Sequence, residues 1–251
     1  TKLLIKLAMA ENEFWGNNAT NEAITLFHVY LPGTEADLDA RIEIINWIRT
    51  LDGAEDLLIR ILSSALMSGN RSYISGAEKQ GFKRLDHYMP SGAEIVKYWE
   101  NISSIMKDCI VAYPDKLDNL SDVVSSNFDG LIRSGAITLA FDLAEFVADK
   151  RNWEWEKMRE SLRMISWRNG WKEYPKSLKI RIQQFNDKLT KDDFISRFRD
   201  ASHYEGGSWD EEMKKKNELY KGLAHDFVEK ENANDIILRQ VLLDSNLKPY
   251  N

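Results

Sequence analysis

The chain has 251 residues, 43% hydrophobic and 29% charged, with a net charge of -6 at pH 7. A chain of this length buries a sizeable core in one domain or in two small ones. The acidic balance argues against a general nucleic-acid-binding protein. The lack of any run of about eighteen apolar residues argues against a membrane-spanning helix.

The beginning of the chain and its cysteine content indicate the cellular context. The segment after Thr1 has neither a long apolar run nor a cleavage signal, so we predict no signal peptide. Because it reads as the tail of a helix, we expect the chain to be a fragment of a larger protein. The single cysteine, Cys109, cannot form an internal disulfide, which favours a reducing cytoplasm.

Apolar residues recur at three- and four-residue steps through the first part of the chain, which predicts amphipathic helices. A short opening helix is followed by one that carries Ile24 and His28 and is ended by Pro32-Gly33. Gly53 separates the next two helices, as in a helical hairpin. His28 is predicted to be a packed or capping residue rather than a ligand.

The segment from Met67 to Gly92 has no helical period and is rich in glycine. A long loop within a compact domain is uncommon and often functional. Its aromatic residues, which include Tyr73 and Phe82, either pin the loop to the helices beneath it or touch a partner.

Helical patterns return at Glu94 and continue to the end of the chain. Pro114 stops the first of these helices. Further helices are predicted over 117–125, 129–150 and 153–167, after Pro175, after Thr190, and over 209–230 and 233–243. We therefore predict an all-α fold of stacked antiparallel helix pairs, an irregular α-solenoid-like array. Residues 1–251 are expected to form one helical-repeat-like region with a sub-boundary near residue 151.

Positive charge is concentrated between Arg151 and Lys191. This stretch holds eleven Lys or Arg residues and five Asp or Glu residues, a net charge of +6, so the remainder carries -12. It is either a solvated face with ion pairs along its helices or a contact patch for an acidic partner. Four tryptophans lie in the same stretch, where they either pack in the core or form a binding hot spot.

Catalytic and metal-binding patterns are missing from the sequence. The four histidines lie in no metal-binding pair, and one cysteine cannot complete a zinc site. Asp192-Asp193 suits a helix cap better than a metal motif, because the expected third carboxylate is replaced by Ser196. We predict no catalytic, cofactor-binding or metal-binding residue, and therefore no enzyme.

Several phrases occur together in a familiar order: Asn17–Thr20, Leu26–His28, Leu31–Thr34, Lys97–Trp99 and Leu189–Phe198, the last followed by an acidic, Gly-rich break. This order resembles the long C-terminal helical region of large prokaryotic anti-phage defence proteins. Those proteins carry an N-terminal sirtuin-like or nuclease effector, often with a STAND-type NTPase module. The resemblance implies a sensor that recognises an invader protein while the rest of the large protein acts.

The first hypothesis is therefore a cytoplasmic, non-catalytic recognition domain, a sensor or scaffold. Its partners would be a protein, a phage protein being one candidate, and the rest of its own chain, with no membrane contact. One alternative is a stand-alone helical enzyme with dispersed site residues around a polar pocket near the Met67–Gly92 loop. Another is nucleic-acid contact through residues 151–191, which the acidic balance disfavours. The predicted partner-binding residues are Trp153, Arg159, Arg163, Trp167, Arg168 and Trp171, with Tyr73 and Phe82.

Overall fold

The computed structural model of the protein describes residues 1–12, 18–30, 34–69, 79–80, 83–84, 88–167, 169–190, 193–202, 209–231 and 234–243. Within these ranges the chain forms twelve α-helices, which confirms the predicted all-α class. Strand structure in the described residues is limited to β1 (Lys79–Gln80) and β2 (Lys83–Arg84), which pair antiparallel. Both strands fall within the segment predicted as a loop.

The chain divides into two compact units, Thr1–Asn152 and Trp153–Asn251, next to the sub-boundary expected near residue 151. The first unit contains seven helices: α1 (Lys2–Ala10), α2 (Ala19–Thr25), α3 (Leu38–Ile48), α4 (Glu55–Leu66), α5 (Gly92–Ala112), α6 (Leu117–Arg133) and α7 (Ile137–Lys150). Helix α4 contacts α2 and α6, and α5 contacts α3 and α7, so the helices lie in two rows. An α-solenoid-like array stays a prediction.

Side-chain caps and a proline set the ends of several helices in the first unit. The carboxylate of Asp37 accepts a hydrogen bond from the backbone N–H of Ala40, 2.7 Å away, at the start of α3. Ser91 and Glu94 form a reciprocal capping box at the start of α5. Pro114 follows the end of α5, as the sequence predicts, because proline cannot continue the hydrogen-bond ladder.

The predicted break between α6 and α7 is wrong. It was expected just after Ser125, whereas α6 continues to Arg133 and the chain turns at Gly135, whose φ is 83°. The side-chain amide of Asn127 donates to the carbonyl of Val123, 2.9 Å away. A polar side chain in the predicted break therefore forms its hydrogen bond within the helix and does not interrupt it.

Two aromatic residues of α5 connect the rows of the first unit. Trp99 is 2% exposed, and its indole N–H donates to the carbonyl oxygen of Ala65 in α4, 3.2 Å away. The buried Tyr98 hydroxyl donates to the carbonyl of Phe27, 3.1 Å away. Each ring buries a large apolar surface and satisfies its polar atom, so α5 is a central element of this core.

A buried arginine anchors the connection between α2 and α3. Arg41 is 3% exposed, and its guanidinium donates to the carbonyls of His28 (2.7 Å) and Ala36 (2.8 Å from Nη2). Burial lowers the pKa of Arg41. The guanidinium can be buried because backbone carbonyls at both ends of the α2–α3 connection accept its hydrogen bonds.

The second unit contains five helices: α8 (Glu156–Trp167), α9 (Lys176–Leu189), α10 (Phe194–Ser202), α11 (Trp209–Glu229) and α12 (Asp235–Leu242). A 3-10 helix, Asn169–Glu173, precedes α9. Helix α8 contacts α9, and α10 contacts α11 and α12. Phe194, Leu223 and Val241 form a small buried cluster between α10, α11 and α12.

Candidate protein-binding surface

The eight residues predicted to bind a partner have different positions in the structure. Tyr73, Phe82 and Arg168 lie outside the described residues. Trp167 ends α8, but its side chain is also outside the description. The side chains that can be placed are Trp153, Arg159, Arg163 and Trp171, all in the second unit.

Arg159 and Arg163 point toward one carboxylate of their own helix. Nη1 of Arg159 lies 2.9 Å from Oε2 of Glu156, and Nη2 of Arg163 lies 2.8 Å from Oε1. Their side chains are only 2% and 16% exposed. This differs from the exposed face that the sequence predicted, because Glu156 holds both guanidinium groups within the unit. A role in partner binding stays a prediction for these two residues.

Trp171 has a more open environment, on the 3-10 helix that leads into α9. The half-buried ring packs edge-on against Tyr174, with 6.1 Å between centroids and 73° between planes. Nζ of Lys179 lies 5.6 Å from the Trp171 centroid and donates to the carbonyl of Lys172, 3.1 Å away. The ammonium group is thus held over an aromatic face, a favourable cation–π arrangement.

Lysines stand at the beginning of α9, where a helix favours negative charge. Pro175 precedes the first turn, Lys176 opens it, and no acidic residue occupies that turn. A cation near a helix N-terminus opposes the helix dipole, at a cost of about 0.3–1 kcal/mol. The lysines therefore do not serve the stability of α9. We call Trp171, Lys172, Tyr174, Lys176 and Lys179 the Trp171 surface.

Trp153 forms a second aromatic and cationic contact near the other end of α9. Its ring packs edge-on against Phe185 with 6.2 Å between centroids, and Nζ of Lys188 lies 5.3 Å from the ring centroid. Its φ is 62°, after a φ of 51° at Asn152. A left-handed backbone is an outlier for a bulky residue, so the contacts to α9 must hold it there.

The electrostatic character of α9 and its preceding 3-10 helix is positive, in a chain whose net charge is -6. Five basic residues occur there against two acidic ones: Lys172, Lys176, Lys179, Arg181 and Lys188 against Glu173 and Asp187. Lys172 and Lys176 are exposed. The predicted partner-binding residues include Trp153 and Trp171 but not these lysines. The available signal was the three-residue spacing of Lys176 and Lys179, which places them on one side of α9.

Among the residues that the structure describes, no three His, Cys, Asp or Glu side chains are placed to hold a metal ion. Cys109 is buried, and burial raises the pKa of its thiol, which disfavours the reactive thiolate. The absence of enzymatic activity stays a prediction.

Comparison of the chain with protein-family models, with curated proteins and with solved structures finds no match. No helix in the described ranges has both the length and the apolar character needed to cross a bilayer. The resemblance to prokaryotic defence proteins therefore stays a prediction.

Proposed function

We propose that this chain is a non-catalytic protein-recognition domain, a sensor or scaffold, that binds an acidic segment of a partner protein on the Trp171 surface. One observation carries the proposal. Lys172 and Lys176 are exposed and near the half-buried Trp171 in sequence, and the helix dipole disfavours Lys176 at the start of α9.

An acidic partner segment would relieve this unfavourable arrangement. Its carboxylates would neutralise Lys172 and Lys176 and complement the positive end of the α9 dipole. The face of Trp171 would add apolar contact, and tryptophan is enriched among the residues that dominate binding energy. Lys179 is already held by the ring and by the Lys172 carbonyl, so little further ordering is needed there.

The distribution of charge favours a protein segment over a nucleic acid. Outside Arg151–Lys191 the chain carries a net charge of -12, which repels a long polyanion. A short acidic peptide presents its charge only where the lysines are. We accordingly propose a protein partner and treat nucleic-acid binding as the outcome that would contradict the proposal.

We further propose, on the resemblance of the sequence phrases, that this recognition serves a larger prokaryotic defence protein. In that setting a phage protein would supply the acidic segment, and modules elsewhere in the larger protein would respond. The physical part of the proposal, an acidic segment on the Trp171 surface, stands independently of that setting.

The test uses fluorescence anisotropy with labelled peptides rich in Glu, Asp and Tyr, and with single- and double-stranded DNA of equal charge. We expect the acidic peptide to bind, and its affinity should fall as salt is added. The double variant Lys172→Gln, Lys176→Gln should weaken it about tenfold, which corresponds to about 1.4 kcal/mol.

The matched control is Lys107→Gln, Lys150→Gln, which also removes two lysines beside an aromatic ring. Each of these lysines has its Nζ 5.6 Å from the centroid of Phe146 in the first unit. Peptide affinity should survive this change. Equal losses in the two double variants, or tighter binding of DNA than of the acidic peptide, would contradict the proposed function.

A further inference from the structure

A groove lies between α2 and α4 of the first unit, and none of its described lining residues belongs to the Trp171 surface. It has a volume of about 320 Å³. One wall includes Asn21, Thr25 and His28, from α2 and the turn after it, and the other includes Arg60 and Ser63 from α4. A site of this volume lies at the lower end of the range for small-molecule pockets, about 300–1,000 Å³.

The described lining of the groove combines neutral hydrogen-bonding side chains with one cationic side chain and has no anionic one. Arg60 is the one permanently charged residue among its described lining residues, and none of these carries a carboxylate. The guanidinium of Arg60 donates to the side-chain carbonyl of Asn21, 3.2 Å away, which fixes it at the rim. An arginine surrounded by hydroxyl and amide groups is suited to a carboxylate or phosphate.

Glu11 interacts electrostatically with Arg60, but its carboxylate is engaged at the start of α2. Its carboxylate accepts hydrogen bonds from the Thr20 hydroxyl (2.6 Å) and the Thr20 backbone N–H (3.1 Å) at the start of α2. The hydrogen bond from the Thr20 side chain is the main cause that lowers the pKa of Glu11, and Arg60 contributes less. Glu11 therefore serves mainly the N-terminus of α2.

The walls of the groove are held in place by hydrogen bonds that do not need a ligand. The Ser64 hydroxyl of α4 donates to the carbonyl of Ile24 in α2, 2.8 Å away. Arg41 donates to the carbonyl of His28 from outside the groove, at 2.7 Å. The site is thus preformed, which lowers the conformational cost of binding.

We propose that this groove binds a small organic anion whose carboxylate or phosphate contacts Arg60. Ile24 and Met67 supply apolar lining, so the ligand carries a short apolar body in addition to its anionic group. Met67, the first residue of the segment predicted as a loop, is one of the lining residues.

The experiment is isothermal titration of the full chain with phenyl phosphate, benzoate, phenol and inorganic phosphate. Phenol keeps the ring without the charge, and inorganic phosphate keeps the charge without the ring. We expect at least one aromatic anion to bind with a millimolar or lower dissociation constant. Phenol and inorganic phosphate should each bind at least tenfold more weakly. Whether benzoate or phenyl phosphate binds tighter distinguishes a carboxylate ligand from a phosphate ligand.

Variants of Arg60 test whether the ligand binds in this groove, and they leave the core intact because Arg60 is exposed. Arg60→Gln should weaken the aromatic anion tenfold or more, and Arg60→Lys should weaken it less, because it keeps the charge and loses the planar fork. Arg133→Gln is the matched control, an exposed arginine of α6 paired with Asp129. Unchanged affinity in Arg60→Gln, equal binding of phenol, or no binding of either aromatic anion would overturn the proposal.

Discussion

Two ion pairs, one from each unit, lie in different environments. In Thr1–Asn152, pairs such as Lys97 with Asp39, 2.9 Å apart, lie at the surface with both side chains more than half exposed. In Trp153–Asn251, Glu156 holds Arg159 in the interior at 2.9 Å. Exposed pairs contribute little to stability, whereas breaking a buried pair leaves an uncompensated charge. The second unit therefore depends in part on the half-buried carboxylate of Glu156, which pairs with a buried guanidinium.

The same contact between lysine and an aromatic ring also has different surroundings in the two units. Lys107 and Lys150 flank Phe146 on α7, which carries three carboxylates: Asp142, Glu145 and Asp149. Lys179 lies over Trp171, with the further lysines Lys172 and Lys176 near it in sequence. The first arrangement is balanced in charge, and the second is not. A cation–π contact alone therefore does not indicate a binding surface. The excess of positive charge around Trp171 is the feature that distinguishes it.

The largest effect is expected for Trp99→Ala in the first unit. This change removes a ring that is 2% exposed and its hydrogen bond to Ala65, so the free energy of unfolding should fall by about 3–5 kcal/mol. Urea denaturation of purified protein measures it. The half-buried Trp171 provides the contrast, since Trp171→Ala should cost only about 1 kcal/mol.

Trp99→Phe separates the two contributions of the indole. It keeps most of the apolar volume and removes the donor to the Ala65 carbonyl, so an intermediate loss is expected. Similar losses for Trp99→Ala and Trp171→Ala would remove the distinction between a core tryptophan and a surface tryptophan on which the binding proposal depends.

A smaller effect is expected when the carboxylate of the second unit is neutralised. Glu156→Gln keeps the shape of the side chain but removes the negative charge that pairs with Arg159 and Arg163, and it should cost about 2–3 kcal/mol. Asp39→Asn breaks the exposed pair with Lys97 in the first unit and should cost less than about 1 kcal/mol. Thermal unfolding of both variants, at one ionic strength, gives the comparison.

The opposite order of these two losses would mean that the first unit depends on its surface charges more than its packing indicates. A double change, Glu156→Gln with Arg159→Met, sharpens the test. Replacing both partners by uncharged groups of similar size should recover part of the loss, because a buried arginine is no longer left with its charge uncompensated.

The helical class and several helix ends could be predicted from the sequence because they depend on neighbouring residues. Apolar residues at three- and four-residue steps identified the α5 helix, and Pro114 marked its end. The predicted break between α6 and α7 was misplaced, because the side-chain amide of Asn127 forms its hydrogen bond within the helix. Only the backbone at Gly135, with a φ of 83°, makes the actual turn.

The candidate sites could be predicted only in part, because each depends on residues distant in sequence. Trp171 was selected from the clustering of tryptophan with basic residues, a signal contained in one short stretch. The burial of Arg41 requires the carbonyls of His28 and Ala36, and the α2–α4 groove faces Asn21 toward Arg60. Sequence spacing carries no information on such pairings, which the packing of helices creates.

The smallest expected effect is a difference in acid sensitivity between the two units. The hydrogen bond from Ser91, followed by that from Tyr88, lowers the pKa of Glu94 from 4.5 to about 2. A carboxyl group whose pKa is lower in the folded state stabilises the protein above its unfolded pKa and loses that effect as pH falls toward 2. Glu94→Gln should therefore flatten the decline in stability of the first unit between about pH 5 and pH 2.

Asp226 gives the corresponding test in the second unit. Hydrogen bonds from Lys230 and Arg197 lower its pKa, and the bond from Arg197 connects α10 with α11. Its protonation removes a link between helices, whereas protonation of Glu94 removes only a cap. Hydrogen exchange at falling pH should therefore show α10 and α11 losing protection before α5, and Asp226→Asn should abolish that order. Simultaneous loss in all three helices would indicate that the small cluster of Phe194, Leu223 and Val241 holds α10 and α11 without the ion pair.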